Sequence, residues 1–98
     1  MSGFVLTRPA ELDLDQIKSY LIEKAGAKAT RSVLKDIRSG LILVGAEPGV
    51  GHVREDLTDQ PLKFWHVYSY VIVYDPQTKP VQIIRILHGM RDVADILN

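Results

Sequence analysis

The residues best suited to chemistry lie in the last third of the chain, which reads VQIIRILHGMRDVADIL from Val81 to Leu97. Arg85, His88 and Arg91 bring two guanidinium groups and an imidazole close together in sequence. Cations of this kind neutralise a phosphate or a developing oxyanion, and an imidazole exchanges a proton near neutral pH. His66 is a second imidazole able to move a proton. Each residue also has a plainer reading. Arg85 sits mid-strand, where a structural arginine paired with a carboxylate is at least as natural as a catalytic one. His88 can cap the strand end by hydrogen bonds, and Arg91 with Asp92 can form a surface pair of small energetic value.

The element that positions them is a strand. Val81 to Leu87 is largely β-branched or aliphatic, the composition of a strand buried on both faces. Side chains alternate along a strand, so Ile84, Ile86 and His88 are expected on one face and Ile83, Arg85 and Leu87 on the other. Gly89 ends the strand, and Asp92 is placed to cap a short C-terminal helix.

Upstream, Gly3 to Leu6 (GFVL) reads as an edge strand. Thr7 and Pro9 then signal a helix start. Glu11, Asp13 and Asp15 put negative charge near that start, where it suits the helix dipole. Ala10, Leu14, Ile17 and Leu21 form a buried stripe, and Gly26 ends the helix. A second helix runs from Ala27 to Ala46, with Val33, Leu34, Ile37, Leu41 and Val44 on one face and Gly40 marking close packing or a bend. The short link implies an antiparallel helical hairpin.

Glu47 to Pro61 is loop-like, and Leu62 to Val67, Tyr70 to Tyr74 and Val81 to Leu87 read as three strands joined by short turns. The expected order is β-α-α-β-β-β: an α+β fold with the helical hairpin packed on an antiparallel sheet and a short C-terminal helix.

Composition limits the function. The 98 residues form one expected domain, 1–98. Twelve Lys and Arg balance twelve Asp and Glu, so no global field draws the chain to nucleic acid. No apolar run of about 18 residues is present, and the first residues lack a signal-peptide pattern, so no membrane partner and a cytoplasmic location are expected. Cysteine is absent, and His52, His66 and His88 are widely spaced, so no metal is expected, nor any other cofactor. GAEPGVG (45–51) lacks the Gly-Lys-Ser/Thr ending of a phosphate loop. Phe64, Trp65, Tyr68, Tyr70 and Tyr74 could stack bases, but most fit core or cross-strand pairing.

Three segments carry a family resemblance: PAELDLDQIKSYLIEKAG, DIRSGLILVGAEPGVGHVREDLTDQPLKFWHVYSYVIVYDP and IIRILHGMRDVADIL. Together they resemble toxins of the RelE/ParE superfamily from bacterial type II toxin–antitoxin modules, and the HGMRD turn is most similar to the ParE, plasmid-stabilisation branch. The resemblance implies a toxin that inhibits DNA gyrase by binding it, without chemistry of its own, and that is neutralised by a cognate antitoxin. The alternative it implies is a RelE-like, metal-independent endonuclease that cuts mRNA in the ribosomal A site, with Arg85, His88 and Arg91 as catalytic residues. Two features weigh against the nuclease: residues 93–98 contain no aromatic or basic side chain, and the net charge is zero. A second alternative is a degenerate member without toxicity.

Partner binding has a physical signal as well. Ile42 and Leu43 adjoin the core positions Leu41 and Val44, which makes this part of the helix apolar nearly all round. Tyr20, Ile42 and Leu43 are the expected antitoxin-binding residues, and a homodimer burying the same patch is the alternative without antitoxin.

Overall fold

Thr7 converts the end of a strand into the start of a helix. Its backbone is extended (φ −68, ψ 164) and its hydroxyl accepts a hydrogen bond from the Ala10 N–H at 3.3 Å, satisfying one of the free donors of a helix N-terminus. The computed structural model describes residues 3–89 and 93–98. Strand β1 is Phe4–Leu6, helix α1 is Arg8–Ala46, and strands β2, β3 and β4 are Lys63–Val67, Tyr70–Asp75 and Val81–His88. A short helix α2, Val93–Leu97, follows. Arg91 and Asp92, and with Asp92 the expected cap of α2, lie outside the described residues.

Helix α1 is a hairpin. A straight 39-residue helix would extend ~58 Å at 1.5 Å per residue, whereas the longest dimension of the molecule is 36 Å. The fold-back occurs at Gly26, whose φ of 85 and ψ of 172 are open to glycine and strained for other residues. The Thr30 hydroxyl donates to the Gly26 carbonyl at 2.7 Å and secures the start of the second arm. Ala10 and Ile17 of the first arm (8–25) and Ile37, Leu41 and Val44 of the second (27–46) all enter one core.

The sheet order is β1-β4-β3-β2. β2–β3 and β3–β4 are antiparallel, as their short links dictate. β1 lies parallel to β4, so the sheet is mixed and not wholly antiparallel as expected. Nearly the whole chain separates β1 from β4, and no tight turn sets their relative direction.

The hairpin packs on one face of the sheet, over Tyr70, Ile72, Tyr74, Val81, Ile83 and Ile86. The far face has a smaller core of Leu62, Phe64, Val71, Val73, Leu87 and Val93, flanked by Leu57, Ile84 and Leu97. Ile83 and Ile86 therefore share a cluster, contrary to simple alternation. The cause is a β-bulge: Tyr74 pairs with Ile83 and Val73 with Arg85, which leaves Ile84 as an extra residue. Gly40 marks close packing. A Cβ there would lie 2.9 Å from Val67 Cγ2.

The loop after α1 contains a 3-10 turn, Pro48–Val50, held by Tyr74, whose hydroxyl donates to the Pro48 carbonyl at 2.6 Å and accepts from the Gly51 N–H at 2.9 Å. Asn98 closes the C-terminus onto this region. Its amide donates to the Leu57 carbonyl at 2.8 Å and its carbonyl accepts from the Thr58 hydroxyl at 3.0 Å. Among the described residues no helix is long and apolar enough to cross a membrane.

Candidate functional site

β1 stops at Leu6, paired with Ile83, while β4 continues to His88. The edge of β4 beyond Ile83 thus loses its strand neighbour, and unpaired backbone groups in a part-buried edge are costly. Two side chains at the start of α1 replace the missing strand. The Thr7 hydroxyl lies 3.0 Å from the Ile83 carbonyl and 2.9 Å from that of Ile84. Asp13 Oδ2 accepts the Ile86 N–H at 2.9 Å.

The same Asp13 carboxylate grips Arg85 in a fork, with Nε to Oδ2 at 2.7 Å and Nη2 to Oδ1 at 2.8 Å. Asp13 is buried and Arg85 half-buried. The hydrogen bonds to Asp13 raise the Arg85 pKa above its already high ordinary value, so the guanidinium stays charged. The bulge at Ile84 contributes by resetting the strand phase just before Arg85.

This pair lines a groove of about 340 Å³ between the first arm of α1, the end of β4 and α2. Its walls include Gln16, Ile17, Tyr20, Tyr70, His88 and Ile96. Tyr70 and His88 face each other across β3 and β4, with ring centroids 4.8 Å apart and planes inclined by 40°. Burial chiefly, and the nearby Tyr20 phenol, push the Tyr70 pKa above the ordinary tyrosine value. The groove therefore offers ring faces, phenol hydroxyls, one amide and an apolar floor. Its guanidinium is already matched by a carboxylate.

The structure brings Arg85, His88 and Tyr20 into this groove. Arg91 lies outside the described residues. Tyr20 lines the groove, whereas Ile42, exposed on the second arm, and half-buried Leu43 do not. His66 is exposed on β2. Among the described residues no three His, Asp or Glu come together as a metal site. The sequence does not mark Asp13 or Ile96 as site residues, and it offers Tyr70 only as one of several aromatics suited to stacking or to core packing. The signal for Asp13 was its place on the stripe of Ala10, Leu14 and Ile17, where a carboxylate faces the interior and requires a partner.

A second groove, of about 310 Å³, runs between the two arms and β1. Leu14, Leu34, Ile37 and Leu41 line it with Phe4 and Leu6, and Asp15, Lys18 and Arg38 also border it.

These features define a class: small α+β proteins in which a helical hairpin covers one face of a four-stranded mixed sheet and a groove opens at the end of its core strand. The same fold occurs in a solved structure described as the chromosomal ParDE TA system from P. aeruginosa, with a TM-score of 0.74 and 21% sequence identity, covering 92% of this chain and 98% of that one. The family of ParE toxins of type II toxin–antitoxin systems, parDE, matches residues 4–93. The chain belongs to that family. No curated protein sequence matches it significantly.

Proposed function

We propose that this ParE-family toxin arrests growth by binding and inhibiting DNA gyrase in the cytoplasm, and that a cognate antitoxin neutralises it. Family membership supports the toxin role, and gyrase is the target that the ParE resemblance implies. The observation that favours inhibition by binding is the Asp13–Arg85 fork. It engages the guanidinium at the centre of the groove, where a ribonuclease needs a cation directed at phosphate. The antitoxin is assigned to the apolar groove between the two arms and β1, where an amphipathic segment can cover Leu14, Leu34 and Leu41.

A second reading, the ribosome-dependent mRNA endonuclease, draws support from the ring faces of Tyr20, Tyr70 and His88, which suit base stacking. Under it Arg85, His88 and Arg91 serve phosphate charge and proton transfer. One purified preparation tests both readings. Loss of gyrase supercoiling activity without mRNA cleavage is expected, and cleavage of ribosome-bound mRNA without gyrase inhibition would overturn the choice.

A further inference from the structure

We propose that the groove at the end of β4 is where the toxin seats a large apolar or aromatic side chain of its protein target. The proposal rests on the reading that this chain acts by binding. Three rim residues carry the argument: Tyr20 is 53% exposed, Ile96 is 42% exposed, and His88 is exposed. Tyr20 and Ile96 lie outside the two core clusters, yet they come from α1 and α2 to border one cleft. Below them the floor is apolar, with Ile86 at 1% and Ile17 at 8% exposure.

The electrostatics select among occupants. A nucleic-acid site needs cations free to meet phosphates. Among the described residues that line this groove the lysine and arginine charge is Arg85 alone, and Asp13 neutralises it through two hydrogen bonds. A carboxylate ligand meets the same obstacle. A neutral apolar side chain fits, because it makes edge and face contacts with Tyr20, Tyr70 and His88 and leaves the ion pair intact. Interfaces concentrate their binding energy on such anchors, each filling a pocket ringed by side chains that exclude water. The tilted Tyr70–His88 pair supplies one preformed wall, so little ordering is required on binding.

The test uses the full chain and purified gyrase, with Tyr20→Ala and Ile96→Glu as variants and Val53→Ala, an exposed loop residue outside the groove, as control. Thermal unfolding of each verifies the fold. The concentration for half-inhibition of supercoiling should rise at least tenfold for both groove variants and stay unchanged for the control. Inhibition by both groove variants at the wild-type concentration overturns the groove assignment alone. Failure of the unaltered chain to inhibit gyrase sinks the proposed function and this inference with it. A labelled single-stranded RNA oligonucleotide provides the competing probe. Binding that is steeply salt-dependent and lost in Tyr20→Ala would overturn the protein occupant in favour of nucleic acid.

Discussion

Asp13 and Arg85 are joined by two hydrogen bonds, 2.7 and 2.8 Å long, and the same carboxylate accepts the Ile86 N–H at 2.9 Å. One side chain thereby neutralises a half-buried charge, closes an unpaired stretch of strand edge and pins the first arm of α1 to β4.

Removing one partner should be costly. Asp13→Ala leaves a guanidinium and a backbone N–H without their acceptor and should destabilise the fold by about 2–4 kcal/mol. Arg85→Ala should cost at least as much, because it strands the more deeply buried Asp13 carboxylate with the Ile86 N–H alone. Urea titration of both variants checks the order. The double variant Asp13→Leu/Arg85→Met should recover part of the loss, since an apolar pair can replace a buried ion pair. Retained gyrase inhibition in that variant agrees with a structural Arg85, and its complete loss in a folded protein would speak for direct participation.

At Gly26 the constraint is backbone geometry. Nothing lies within 4 Å of a Cβ built there, so Gly26→Ala meets no clash. Its φ of 85 with ψ of 172 nevertheless falls in a region nearly exclusive to glycine, and alanine should cost about 1–3 kcal/mol. A variant as stable as wild type on thermal unfolding would show that the arms can join through another turn.

Two helix glycines should respond differently. A Cβ at Gly45 would lie 2.8 Å from the Gly3 carbonyl carbon, part of a backbone anchored to Val81. A Cβ at Gly40 would meet the side chains of Val67 and Ile72, which can shift. Alanine gains about 1 kcal/mol of helix propensity over glycine, against an overpacking cost of about 1–3 kcal/mol. Gly40→Ala should therefore be near neutral and Gly45→Ala clearly destabilising. Equal midpoints in denaturant would contradict this ranking.

Tyr74 should make the fold sensitive to alkali. Burial raises its pKa above the ordinary 10.0, so the folded state holds the phenolic proton more tightly than the unfolded state. Stability from this source is full below pH 10 and is lost as pH rises through the raised, folded-state pKa. Tyr74→Phe removes the bonds to Pro48 and Gly51 and should cost about 1–3 kcal/mol at neutral pH. It should also flatten the decline of stability above pH 10. Denaturation curves across that range, superimposed in slope for wild type and variant, would rule this out.

Much of this molecule could be read from the chain itself. Thr7, Pro9 and Gly26 delimit the first helix by their own backbone chemistry, and the short links after β2 and β3 force antiparallel pairing. Apolar periodicity marked Ile17, Ile37 and Leu41 as core, and family motifs spanning most of the chain identified the ParE branch. Only the tertiary structure decided the parallel placement of β1, the bulge at Ile84 that breaks the expected alternation, and the partner of Arg85. The reason is range. Helix caps and turns are fixed by residues a few positions apart, whereas Asp13 and Arg85 are 72 positions apart and meet only because β1 stops short of β4.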